Sequence, residues 1–322
     1  MEILSLVLKQ MLMMVTLMLA GFVLRRKKVV PDNAGIAISK LETYIFLPAL
    51  TLVNQLNNCN VENFANNSVL ILYGLILVLV AIGIAYPVSG LFIRKSKQSS
   101  ELRYQRNIYM YALTFGNFGF MGNFIIQGIW GDAMFYKYSM LTFFFVVFSN
   151  AWGLYILIPK EENTGLLKNL KKGLTAPLII ALIIGCVCGL LNLKPYFPDF
   201  VMSALDNASK CMGPAAMILA GIIIGGYDIK KMFSNKKVYL VTFLRLIVIP
   251  AAFVTVLKLV GVSNEILILS LIAFGTPLGM NTIVYPAAYG GDTKTGASMT
   301  LVSHLLSVIT IPIMYYIFVE LL

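Results

Sequence analysis

Residues Phe274 to Asp292 read FGTPLGMNTIVYPAAYGGD, which puts two prolines, four glycines and an asparagine where an apolar helix should run uninterrupted. A proline in a helix interior removes a backbone donor and costs about 3 kcal/mol. A simple membrane anchor has no use for two of them. The stretch therefore reads as a deliberate break, and its meaning depends on what surrounds it.

What surrounds it is hydrocarbon-like. Of 322 residues, 59% are hydrophobic and 12% charged, more apolar surface than a soluble core of this size can hide. The chain reads as an integral membrane protein, and the first apolar run, which lacks a small-residue cleavage site, as a retained helix. The net charge of +11 comes from short basic clusters between apolar runs, the pattern that sets membrane topology rather than one that binds nucleic acid. Cys59, Cys186, Cys188, Cys211 and His304 show no metal-ligand or redox spacing, so neither metal nor cofactor is expected. No Gly-rich phosphate loop occurs and no polar segment is long enough for an ATPase domain, so ATP is not expected to drive this chain directly.

A spanning helix needs about 20 mostly apolar residues. Ten segments qualify: Leu4 to Leu24, Ile36 to Leu56, Val69 to Ile93, Ile108 to Ile129, Ala133 to Ile158, Leu174 to Leu191, Phe200 to Gly226, Val238 to Val260, Ile266 to Tyr289 and Gly296 to Leu321. Basic clusters at Arg25 to Lys28, Arg94 to Arg106, Lys160 to Lys172 and Lys230 to Lys237, with Lys294, all fall in loops of one parity, whereas the opposite loops hold only Lys194. By the positive-inside rule those clusters face the cytoplasm and both termini lie outside a cell membrane. The polar run PKEENTGLLKNLKKG, residues 159–173, divides the spans five and five. Residues 1–158 and 174–322 would then enter the membrane in opposite senses, as inverted repeats. Leu47-Pro48-Ala49 in span two matches Gly213-Pro214-Ala215 in span seven, and Phe115-Gly116 with Gly131-Asp132 echoes Phe274-Gly275 with Gly291-Asp292. Interruptions at matching places in two halves point to the central site of a transporter.

Span four reads YALTFGNFGFMGNFIIQGIWGD. If Gly116, Gly119 and Gly122 unwind it, and Pro277 and Gly279 unwind span nine, half-helix N-termini meet near the bilayer midplane. Freed backbone groups must then face protein or a water-lined cavity. Their amides carry partial positive charge and suit an anion such as a carboxylate, to which Asn117, Asn123 and Asn281 can add side-chain donors. Either span alone would more often be a glycine packing face than a site. Two of them at matching positions, both with asparagine, favour a site.

These residues resemble the auxin efflux carrier family, which includes bacterial permeases linked to malate and malonate. The likeness covers nearly the whole chain: NFGFMG at Asn117 to Gly122, Pro277 with Asn281 to Val284 and Tyr289-Gly290, GASMTLVSHLLSVITIPI at Gly296 to Ile313, and LPAL at Leu47 to Leu50. It implies an all-α fold of ten transmembrane helices in two inverted five-helix repeats, with helices four and nine broken and crossing, akin to sodium/proton antiporters and bile acid transporters. It implies transport of small organic anions, and an elevator motion in which helices three to five and eight to ten move against a scaffold of one, two, six and seven. A homodimer through the scaffold is implied on the same ground. Two departures stand out. Many relatives have a proline after Phe-Met-Gly where this chain has Asn123-Phe124, and often Ala-Glu-Arg where it has Pro286-Ala287-Ala288. The first break must therefore rely on glycines.

The function expected is a secondary transporter or facilitator of a mono- or dicarboxylate, with substrate bound by Asn117, Gly119, Asn123, Pro277, Gly279 and Asn281. A receptor that kept the fold but not the flux is the alternative. An enzyme is not expected, because no His cluster, acid pair or nucleophile and base are evident. Ionisable residues within spans are candidates for proton or sodium coupling. Of these, Asp206 and Lys210 can pair at i, i+4, Glu42 can pair with Lys40 or snorkel, and Arg245 can attract a carboxylate or hold a carbonyl or a lipid headgroup. His304, whose imidazole titrates near pH 6.5 when unperturbed, is either a proton carrier or a hydrogen-bonded packing residue.

Overall fold

The computed structural model describes residues 2–93, 99–159 and 165–321. Within them the chain is helical, with no strand beyond one isolated antiparallel bridge, Gly116 to Leu278. Helix α1 is Glu2–Arg26 and α2 is Ala34–Asn58. Next come α3 (Val69–Phe92), α4 (Ser100–Thr114), α5 (Asn123–Leu141) and α6 (residues 143–157). The second half has α7 (Pro177–Leu190), α8 (Asp199–Gly225), α9 (Lys236–Leu259), α10 (Asn264–Gly275), α11 (Asn281–Ala288) and α12 (Lys294–Tyr315).

Seven helical runs are long and apolar enough to cross a membrane. The expected segments missing from that set are the ones the structure shortens or interrupts. Expected span six keeps only Pro177–Leu190, bent by 48° from a short helix before it. Spans four and nine are broken. One counted run, Phe118–Leu157, has 40 residues. At 1.5 Å per residue a straight rod of that length would be about 60 Å, twice the hydrocarbon thickness. It is divided at Gly131, whose φ of 79° no helix allows and glycine tolerates. Of the basic loops, Arg94, Lys95, Lys97 and Lys160 lie outside the described residues.

The prolines act differently from expectation. Pro48 and Pro214 interrupt neither helix, so the matched pair in spans two and seven is not a pair of breaks. Pro48 follows a π-helical turn at Glu42–Phe46, and Pro250 follows another at Leu244–Val248. A proline ring collides with the carbonyl four residues back, and in both cases that residue lies in the widened turn. The extra residue of a π-turn also rotates the side chains before it. Glu42 and Arg245, one in each turn, are both completely buried.

Two sets of contacts organise the bundle. Helix α1 lies along α8, and α7 along α2, which also touches α8. Glycine makes this possible. A Cβ at Gly21 would strike the Ile218 carbonyl, and one at Gly221 the Met18 carbonyl, so the two backbones are in direct contact. In the other set, α3 packs on α4, α5 and α6, and α9 on α10 and α12. Phe253 stacks on Phe274 at 4.0 Å and Phe145 meets the same ring edge-on, so the aromatic run at Phe143 to Phe145 partly serves the core.

Gly221→Val should therefore lower the thermal midpoint in detergent sharply, because backbone cannot yield as a side chain can; overpacking costs about 1–3 kcal/mol or more. Gly83→Val, where an added Cβ meets nothing within 4 Å, should leave it unchanged. Equal melting of the two variants would contradict the α1–α8 packing.

Candidate functional site

The breaks in the two spans meet. Helix α4 ends at Thr114, Phe115 is extended, and helix resumes with a π-turn at Phe118–Gly122. Helix α10 ends at Gly275, Thr276 is extended, and α11 begins at Asn281. The two unwound segments run antiparallel, and the Asn117 amide donates to the Pro277 carbonyl at 2.7 Å. Span four is thus fully interrupted with no proline at the break. Its breaking residue is Gly116, where a Cβ would run into Arg245 and Thr276.

Arg245 sits behind this crossing with no exposed surface. Its Nη1 donates to the carbonyls of Leu113 and Thr114 at 3.4 Å, and its Nη2 to that of Ala273 at 3.2 Å. These carbonyls close α4 and α10. Each helix C-terminus carries roughly half a negative charge, so two of them balance one guanidinium. Of the three roles open to Arg245 from sequence, the structure places it on carbonyls.

One turn of α12 holds both unwound segments. Ser303 Oγ accepts from the Leu278 amide at 3.0 Å and donates to the Thr300 carbonyl at 3.1 Å. His304 Nδ1 lies 2.8 Å from the Thr300 carbonyl and Nε2 3.3 Å from Asn117 Nδ2. A carbonyl only accepts, so Nδ1 carries the proton and Nε2 of the neutral ring accepts from Asn117. His304 is therefore a hydrogen-bonded buried histidine that orients a candidate site residue. Asn117 Oδ1 is buried and has no protein partner.

In front of the crossing lies a cavity of about 560 Å³. Asn117, Gly119, Gly279 and Asn281 line it, at the start of the second half of each broken span. A Cβ on Gly119 would meet nothing within 4 Å, so this glycine borders open space. Asn123 and Pro277 do not line the cavity; Asn123 is buried behind the π-turn and Pro277 acts through its carbonyl. Asn281 Nδ2 donates to Tyr111 Oη, and Tyr285 Oη to Asn150 Oδ1, both at 2.9 Å. Ser39 and Thr43 of α2 also line it, and Lys172 of the short helix Leu166–Leu174 is the single charged residue in the lining among the described residues. Asn150, Tyr285 and Lys172 escaped the sequence reading, although the Ser149-Asn150 pair inside an apolar run was a legible signal.

Other expectations are corrected. Asp206 and Lys210 form no ion pair: Asp206 is half-buried and Lys210 exposed, where a pair gains little over separate solvation. Asp206 does not line the cavity. Glu42 neither snorkels nor meets Lys40; its π-turn carries it into the core, where both carboxyl oxygens lack a protein partner. Cys59 and Cys186, unremarkable in sequence, bring their sulfurs to 3.4 Å.

Residues 6–315 match the family model described as membrane transport protein. The chain is 23% identical over 320 residues to proteins named uncharacterized transporter YfdV in Escherichia coli K12 and in Shigella flexneri, covering 95% of this chain and 96% of theirs. The chain belongs to the membrane transport protein family, and it is a transport protein rather than an enzyme.

Arg245→Met should strip three carbonyls of a charged donor, at about 1.5–3 kcal/mol for each hydrogen bond to a charged group, and give a markedly lower melting midpoint. Gly116→Ala should do the same by displacing the guanidinium. A wild-type melting curve for either variant would remove Arg245 from this role.

Proposed function

We propose that this membrane transport protein carries a small organic anion, a mono- or dicarboxylate, through the cavity in front of the crossing, by secondary transport or facilitated flux across the cell membrane. The observation that carries the reading is electrostatic. Among the described residues no carboxylate lines the cavity, Lys172 does, and the two half-helices that begin at its wall direct their N-termini toward the crossing. The C-terminal ends of the opposing half-helices are already occupied by Arg245. What remains for a ligand is the positive half of each dipole. A volume of about 560 Å³ suits a small organic acid.

In this reading the ten expected spans form two inverted repeats, with both termini outside. Helices α1, α2, α7 and α8 are the scaffold, and the remaining helices with the crossing are the body that moves. The contact pattern supports the division, since α1 packs on α8 and α7 on α2. Side-chain amides bridge the two bodies: Gln10 to the Phe124 carbonyl, Asn54 to the Asp132 carbonyl, and Gln55 to Ser139 Oγ, each at 2.9 Å. An elevator stroke exchanges these bonds. Substrate sits between Asn117 and Asn281, with the backbone at Gly119 and Gly279 open to it. His304 is the coupling candidate. A protonated ring can only donate at Nε2, so Asn117 would turn its oxygen to the ring and free both N–H groups for the anion.

Proteoliposomes loaded with a radiolabelled panel of mono- and dicarboxylates test the reading; saturable flux of at least one is expected, and no flux or binding under any imposed proton, sodium or voltage gradient contradicts it. Asn117→Ala and Asn281→Ala should each cut flux about tenfold or more, the equivalent of a hydrogen bond to a charged group, with the melting midpoint largely kept. Lys172→Gln should raise the half-saturating concentration a few-fold, by about the effect of one exposed charge, and the difference should shrink as salt is added.

A further inference from the structure

Helices α2 and α7 meet along a seam that only glycine permits. The α7 sequence Gly185-Cys186-Val187-Cys188-Gly189 presents Gly185 to Gln55 and Gly189 to the last turn of α2, where a Cβ would sit 3.0 Å from that of Cys59 and closer still to its carbonyl. This close approach brings Cys59 Sγ to 3.4 Å from Cys186 Sγ and 3.6 Å from the Cys186 carbonyl. Both are free thiols, Cys59 buried and Cys186 half-buried. The sulfurs need approach by only about 1.3 Å to reach the 2.05 Å of a disulfide.

We propose that Cys59 and Cys186 are a thiol pair that closes into a disulfide, stapling α2 to α7, by exchange with a small-molecule or protein disulfide. The order follows from exposure. The Cys186 thiolate attacks a sulfur of the donor disulfide, forming a mixed disulfide and releasing one thiolate. The buried Cys59 thiolate then attacks Cys186 Sγ and expels the second. The two cysteine sulfurs lose two electrons, the donor disulfide gains them, and the two cysteine protons end on the two released thiols. Both residues lie toward the ends of their helices away from the basic loops, the end that faces the oxidising side in the orientation proposed above. Only the compartment of the donor rests on that orientation; the pair's chemistry does not.

Detergent-solubilised full-length protein treated with oxidised glutathione and mapped by peptide mass spectrometry tests the pair. The expected product is a Cys59–Cys186 linked peptide, lost on reduction, while a water-soluble cysteine peptide added to the same reaction takes up glutathione and reports that the reagent is active. Cys59→Ser should trap glutathione on Cys186, and Cys186→Ser should leave Cys59 unmodified. The proposal is overturned by a stable glutathione adduct on Cys186 in the unaltered protein, by a link from Cys59 to Cys188, or by no product at either cysteine when the added peptide is fully modified. None of these three failures bears on carboxylate flux, which is measured separately.

Discussion

A buried guanidinium facing two helix ends is the constraint from which the rest of this structure follows. Leaving a charge unpaired within a membrane protein is expensive, and Arg245 has no carboxylate partner among the described residues. It is balanced instead by the carbonyls that close α4 and α10. Those helices must therefore stop where they do, at one place and on one side of the protein. Gly116 is the corollary, because any side chain there would occupy the space of the guanidinium.

Stopping two helices leaves two short stretches of backbone to satisfy. They satisfy one another through the Asn117 to Pro277 bond, and α12 takes up the remainder through Ser303 and His304. Arg245 and α12 thus occupy one flank of the crossing, and the cavity opens on the other, floored by glycines and asparagines. Charge separation along each broken span gives that cavity its character. The negative ends are spent on arginine and the positive ends are left for a ligand.

Much of this was legible in the sequence. The apolar segments are helical where expected, and the breaks in spans four and nine were marked by glycines, of which Gly116 is unwound while Gly119 and Gly122 lie in the π-turn that follows, and by Pro277 with Gly279. Proline was the weaker guide. Pro48 and Pro214 leave their helices whole, whereas the first crossing breaks without proline at all. At Pro48 a π-turn absorbs the ring locally, and Pro214 sits within a continuous α8, while a break needs partners for the freed backbone, and those partners come from distant helices. Which role Arg245 takes was not legible for the same reason: the carbonyls it holds, at Leu113 and Ala273, belong to other helices. A buried charge five or six residues before a proline, at Arg245 with Pro250 and Glu42 with Pro48, is the local pattern that marked both π-turns. The contact between Cys59 and Cys186 depends wholly on how closely two glycines let α7 approach α2, which spacing along the chain does not encode.

The most direct measurement is an electron cryo-microscopy map of the protein in a lipid nanodisc, at a resolution that shows side chains. The account predicts density for Arg245 reaching the carbonyls of Leu113, Thr114 and Ala273, between two interrupted helices that cross at Gly116 and Leu278. Continuous helical density through residues 115–117, or Arg245 extended toward lipid headgroups, would contradict it.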